Sequence, residues 1–290
     1  KEFSDIVKIG RTHLQDAVPL TFGQEFSGYV AQLEFAKQQI EAAMPAVYAL
    51  ALGGTAVGTG LNTHADFANK ACAEIANATG LPFTSAENKF AYLAAHDALV
   101  NLSSALRLLA TALMKVANDI RWLGSGPRCG LFQLSLPPIQ PGSSIMPGKV
   151  NPVISESAMQ VYCQVIGNDT TITLAASGGI GSLLELNLCM PLIAERLIES
   201  VILLANTALV LDEKLIQNLE VNTEIAEALV EQSLMVGTVL APIIGYDETA
   251  KIAKEAFSSG ETIRACVLRK GLLDEEELDD LLDYRAMTKP

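Results

Sequence analysis

Apolar residues recur at steps of three and four through most of the chain. From Phe22 they run Phe22, Phe26, Val30, Leu33, Ala36, Ile40, Ala43 and Val47, which predicts a long helix in which Pro45 kinks or restarts the path. A shorter segment over 65–79 ends at Gly80, a residue suited to a helix C-terminus. A second long run over 87–123 repeats the pattern through Leu93, Leu99, Leu102, Leu106, Leu113, Ile120 and Leu123, roughly 55 Å of continuous helix. Two more runs follow, over 152–176 and over 191–216.

Helices of this length exceed the globular norm, and they carry few charges. Several faces of each must therefore be covered, which predicts an all-α fold built as a long-helix bundle. The apolar surface left over predicts that bundles from several chains pack together. The character of the chain changes near 212: residues 212–290 hold 17 acidic and 8 basic side chains, and helix stops are set closer together, at Gly245, Gly260 and Gly271. The expected organisation is a central bundle domain over 1–216 and a small C-terminal helical domain over 217–290. In the latter, Asp274-Glu275-Glu276-Glu277 opens a helix, where carboxylates suit the dipole. Interrupting the bundle, 124–152 carries six of the twelve prolines together with Gly124, Gly126, Gly130, Gly142 and Gly148. Long irregular segments inside helical chains are usually functional, and this mixture suits a shaped, movable lid.

Composition narrows the function classes. Half of the 290 residues are hydrophobic, which excludes disorder. The net charge of −13 excludes nucleic acid and anionic membrane as main partners. The longest uncharged run, 42–65, is broken by Pro45 and four glycines and does not read as a membrane span. Five cysteines at wide spacing, with no C-x-x-C, predict buried free thiols in a reducing compartment, the cytoplasm or alternatively the mitochondrial matrix. Three histidines without clustered cysteines give a metal site no support.

Two segments concentrate chemistry. In Gly142-Ser143-Ser144-Ile145-Met146-Pro147-Gly148-Lys149-Val150-Asn151-Pro152, Asn151 suits the N-cap and Pro152 the first turn of the helix that follows. Lys149 beside that helix N-terminus makes an anion site, most simply for a carboxylate. Glu156, one turn in, can pair with Lys149 or polarise a hydroxyl or imidazole. In Gly10-Arg11-Thr12-His13-Leu14-Gln15-Asp16, His13 precedes a long helix among polar neighbours and suits a general base or an anion ligand; a structural role fits the local sequence equally well. His64 and His96 lack such company and read as structural. Gly53-Gly54-Thr55-Ala56-Val57-Gly58-Thr59-Gly60-Leu61-Asn62 lacks the G-K-[ST] ending and the preceding strand of a phosphate loop, so it reads as a tight polar turn between helices.

The string from Gly142 to Pro152 resembles the signature of the fumarase/aspartase superfamily. Gly10–Leu20 and Gly53–Asn62 are similar to two further superfamily segments in the expected order, and Ser125–Arg128 and Ile244–Asp247 also fit. His13, Pro141, Gly148 and Gly54 resemble the class II fumarases. Asn151–Glu156, Ile166–Thr173 and Arg269–Asp280 are more similar to aspartases. The resemblance implies a hydro-lyase that reversibly hydrates fumarate to (S)-malate through an aci-carboxylate, with an aspartate ammonia-lyase as the alternative and a non-catalytic assembly fragment of such an enzyme as a second one. It implies Ser143 as catalytic base, His13 and Glu156 as a proton-handling or positioning pair, and Thr12, Ser144, Lys149, Val150 and Asn151 as substrate contacts. It further implies no cofactor, a small dicarboxylate as substrate, and a homotetramer whose sites are shared between subunits. It also implies an N-terminal domain preceding Lys1.

Overall fold

The structure is a computed structural model that describes residues 2–140, 142 and 145–289. In chain order its elements are β1 (Val7–Thr12), β2 (Gln15–Thr21), α1 (Phe22–Val47), β3 (Ala49–Leu50), α2 (Phe67–Thr79), β4 (Thr84–Ser85), α3 (Lys89–Ala94), α4 (Asp97–Leu123), β5 (Leu134–Ser135), α5 (Val153–Ala176), β6 (Ser182–Leu183), β7 (Leu186–Asn187), α6 (Met190–Lys214), β8 (Glu220–Val221), α7 (Thr223–Gln232), α8 (Ala241–Ile244), α9 (Tyr246–Ser259), α10 (Ile263–Lys270) and α11 (Glu275–Leu281). The predicted all-α class is what is observed, with strands confined to short pairs. The chain divides into two compact units: 1–30 with 122–136 and 219–290, and 31–121 with 137–218.

In the second unit, the long helices bury Leu106, Leu113 and Ile120 of α4, Val165 and Ile172 of α5, and Ile193, Leu197, Leu204 and Leu211 of α6. Buried polar groups join them. Asp169 of α5 accepts from Ser103 Oγ at 2.7 Å and from Arg107 Nη1 at 2.8 Å, both on α4. Asn168 donates to Glu199 and to Ser200 on α6 at 2.9 and 3.0 Å. Each such group is paired, so burial costs little of the hydrogen bonding it had in water. On α1 the residues buried deepest, Phe22, Tyr29, Ala36 and Ala43, are seven apart, the spacing of a coiled-coil seam; Val30 and Phe35 stand exposed.

Two helix boundaries depart from the periodic reading. The run over 87–123 is broken at Ala95 and His96, where Ala95 is extended. The Ala94 carbonyl accepts from Ser182 Oγ at 2.5 Å, and Leu99 and Val100 start a fresh turn on the His96 carbonyl. A donor from another segment holds this break, and periodicity cannot register that. Pro45, by contrast, neither stops nor restarts α1, which runs on to Val47. Gly80 closes α2 in the left-handed conformation as expected. The expectation of buried thiols holds for Cys72 and Cys266 only; all five are free, but Cys129 and Cys163 are exposed because they fall on solvent-facing positions of their segments.

The first unit has its own core of Ile9, Val230, Val236, Leu240, Ile252, Ile263, Val267 and Leu278. Asp274 caps α11 and Glu277 bonds back to the Asp274 N–H, a complete capping box. Gly260 and Gly271 end α9 and α10 with positive φ. Between these helices Arg269 bonds Glu255 at 2.8 Å and Glu261 at 2.9 Å. The Arg269 guanidinium, followed by the Cys266 thiol and Ser259 hydroxyl, holds the Glu261 carboxyl down at about 2. A carboxyl lowered on folding stabilises above its unfolded range, and that contribution is lost as pH falls through the folded value. Arg269→Met should therefore lower the melting temperature near neutral pH. The gap to the parent should close as pH drops from about 4 towards about 2, read by thermal denaturation across that range.

Candidate functional site

The segment Gly10–Asp16 is the tip of a β-hairpin, which the helical reading of the chain did not foresee. β1 and β2 pair antiparallel, with Thr12 opposite Gln15 and Arg11 opposite Asp16. His13 and Leu14 form the two-residue turn with φ of 57° and 61°, the doubly left-handed geometry that matches strand twist. The register shifts at Gly10, where a Cβ would lie 2.7 Å from the Val18 carbonyl oxygen, so only glycine fits. Thr12 and His13 are both exposed at this tip.

Polar groups overlooked in the sequence fix the hairpin from below. Lys8 is only 2% exposed; its ammonium bonds Glu25 Oε1 at 2.7 Å and lies 5.3 Å from the centre of the Phe22 ring. Arg11 Nη1 donates to Gln133 Oε1 at 2.7 Å. Burial pushes the Arg11 guanidinium down, against the opposing pull of Asp16 and Glu25. Gln133 is itself held through its carbonyl by the Asn222 N–H at 3.0 Å, while the Asn222 side chain donates to the Phe132 carbonyl at 2.8 Å and accepts from Ser135 Oγ at 2.9 Å. This pins the front half of the loop over 124–152 beside β8. Arg11 and Gln133 are 122 residues apart, so no local motif joins them.

The loop's end belongs to the second unit. Ser143 and Ser144 lie outside the described residues. Gly142 and Asn151 approach closely: Asn151 Nδ2 donates to the Gly142 carbonyl at 2.8 Å, and a Cβ on Gly142 would clash with the Lys149 carbonyl oxygen. Asn151 is therefore not the predicted N-cap; one of its two amide N–H groups closes the loop, and Pro152 takes the cap position without a side-chain bond. Gly148 has φ of 81° and turns the chain so that the Lys149 N–H reaches the Met146 carbonyl at 3.3 Å. A cavity of about 430 Å³ is lined by Pro138, Gln140, Gly142, Met146, Lys149 and Val150. Among the described residues Lys149 is its one charged lining residue, and it is solvent-exposed. Glu156 stands in the first turn of α5, its N–H on the Pro152 carbonyl at 3.0 Å; it makes no ion pair with Lys149 among the described residues. Ser155, next to it, is fully buried and its hydroxyl has no hydrogen-bond partner among the described residues. A cation, a helix N-terminus and a glycine-shaped backbone on one loop can hold a carboxylate and stabilise charge that develops on it.

Comparison with known proteins bears on both halves. A lyase family profile matches residues 1–167, and one for the fumarase C C-terminus matches residues 237–289. The chain is 52% identical over 290 residues to fumarate hydratase class II of Methylorubrum extorquens, covering 100% of this chain and 61% of that protein. It is 51% identical to the mitochondrial fumarate hydratase of Rattus norvegicus, again over the whole chain and 57% of the relative. Among solved structures, class II fumarase from Schistosoma mansoni superposes with a TM-score of 0.94 at 43% identity, covering 100% of this chain and 63% of that one. The chain thus spans about three fifths of the length of these relatives. With a lyase match through more than half of its residues and the fumarase C C-terminus beyond it, the chain belongs to the fumarase/aspartase superfamily of lyases.

Proposed function

We propose that the complete protein is a hydro-lyase that interconverts fumarate and (S)-malate, using sites shared between the subunits of a homotetramer. The observation that carries this reading is the loop from Gly142 to Asn151, with Lys149 set beside the N-terminus of α5 in a chain similar throughout to class II fumarases. In the malate-to-fumarate direction Ser143 takes the proton from the carbon next to a carboxylate. The electron pair moves into that carboxylate as a dianionic aci-carboxylate. It then returns to form the double bond while the neighbouring hydroxyl leaves, with a proton, as water. Lys149, Asn151 and the α5 N-terminus stabilise the dianion. Thr12, Ser144 and Val150 contact the substrate. His13, with Glu156, supplies the proton to the departing hydroxyl or holds the water.

The exposed apolar residues Leu174 on α5 and Ile198, Ile202 and Leu209 on α6 support assembly, since a lone chain gains nothing by showing them to water. The free thiols support a reducing compartment, with the cytoplasm proposed and the mitochondrial matrix as the alternative. A central bundle over 1–216 and a C-terminal helical domain over 217–290 is the proposed domain plan.

The test is the ultraviolet absorbance of fumarate mixed with the complete protein, which should fall as malate forms. Unchanged absorbance together with ammonia release from aspartate would select an ammonia-lyase, and inactivity on both would leave an assembly fragment. Lys149→Met should lower kcat/KM for fumarate by about 10²–10³, or about 2.7–4 kcal/mol, the scale of losing one donor to a developing oxyanion; steady-state kinetics check it.

A further inference from the structure

Where the long helical run breaks, the second unit holds a cavity of about 560 Å³. It is walled by the end of α1, β3 and the residue after it, α3, the break at Ala95 and His96, the start of α4 and Met190 of α6. Its size falls within the roughly 300–1,000 Å³ of small-molecule sites. Val47, Leu50, Leu99, Met190 and several alanines make the walls largely apolar. The hydroxyl of Tyr92 is already committed to the Ala46 carbonyl at 3.4 Å. One buried polar side chain in the lining is left over. His96 is 7% exposed, and its Nε2 is buried with no hydrogen-bond partner among the described residues. A buried ring nitrogen without a partner has given up its water for nothing, and such atoms are rare unless something comes to meet them.

The chemistry of the lining selects what that is. Among the described residues no lysine or arginine lines the cavity, and Asp97 does, so an anion is disfavoured. Burial pushes the His96 imidazole down, which keeps it neutral near neutral pH. A neutral imidazole nitrogen either bears a hydrogen or offers a lone pair, according to tautomer, and a hydroxyl complements both. We propose that this cavity is a binding site for a small, uncharged, mainly apolar molecule bearing one hydroxyl, held by a hydrogen bond to His96 Nε2. The site is separate in its residues from Gly142–Asn151 and opposite in its charge preference.

The experiment uses the complete assembled protein, with phenol as the probe and toluene as the same shape without the hydroxyl. With histidine ring carbons labelled, phenol should shift one imidazole signal saturably, and that signal should be the one missing from His96→Phe. Toluene should bind wild type at least about tenfold more weakly than phenol, and His96→Phe should bind phenol about tenfold more weakly. Should His96→Phe fail to fold, the phenol–toluene ratio on the wild type still decides. No saturable shift, equal affinity for toluene, or displacement of phenol by fumarate would overturn the proposal. A phenol-induced change in assembly mass by light scattering would also overturn it, by assigning the cavity to a contact between copies.

Discussion

Ser143→Ala in the complete protein is expected to cut turnover of fumarate by about 10³, inside the 10²–10⁴ that a positioned base contributes, with KM little changed. The proposed chemistry turns on a proton bound to carbon, which leaves only if a base meets it while the electron pair is being stabilised. A serine hydroxyl is a weak base in water. It becomes a competent one where positive charge and backbone N–H groups favour the alkoxide. Lys149, which lines the loop cavity, and the N-terminus of α5 supply positive charge to this loop. Ser144→Ala, which removes a proposed substrate contact rather than the proposed base, should act mainly on KM. Near-normal turnover of Ser143→Ala would remove that residue from the role of base, while the fumarate assay on the wild type would still stand.

Much of the fold can be read from local sequence because local physics sets it. The ends of α1, α5 and α6, the left-handed Gly80 after α2, and the capping box at Asp274 follow from spacing and from residues within a turn of the boundary. The departures come from contacts or backbone conformations that the local residue pattern does not specify. The break before α4 depends on Ser182, 88 residues from the Ala94 it bonds. Asn151 looks like a helix cap, but Gly142 across the loop claims its amide. The hairpin at His13 lacks the Asn-Gly or Asp-Gly that marks such turns, since His13 and Leu14 adopt the left-handed conformation without help from glycine. The motif residues could be found by eye. Lys8, Glu25 and Gln133, which brace the hairpin beneath Thr12 and His13, belong to no motif and become visible only once the chain is folded.

Those bracing residues carry the largest expected effect on stability. Glu25→Leu should destabilise the chain by about 3 kcal/mol, the lower end of the roughly 3–5 kcal/mol for stripping one partner from a buried pair. The lower end applies because Glu25 keeps a fifth of its side chain in contact with solvent, so its own burial is incomplete. Lys8 is only 2% exposed, so bulk water does not replace the lost carboxylate there, and Arg11 loses the same favourable charge. Lys8→Met should cost a similar amount, because Glu25 Oε2 is already buried without a hydrogen-bond partner among the described residues, and the methionine offsets only part of the loss by packing on Phe22. The double variant Lys8→Met/Glu25→Leu should recover most of the loss, since an apolar pair of similar volume needs no compensation. Urea denaturation of all four proteins closes the cycle, and a Glu25→Leu loss below about 1 kcal/mol would show that the pair does not brace the hairpin. In the complete protein, Glu25→Leu should also lower fumarate turnover well below its unfolding temperature. His13 and Thr12 sit at the tip of the strands that Lys8 and Arg11 anchor, and a misplacement of about 1 Å is enough to cost about 10² in rate.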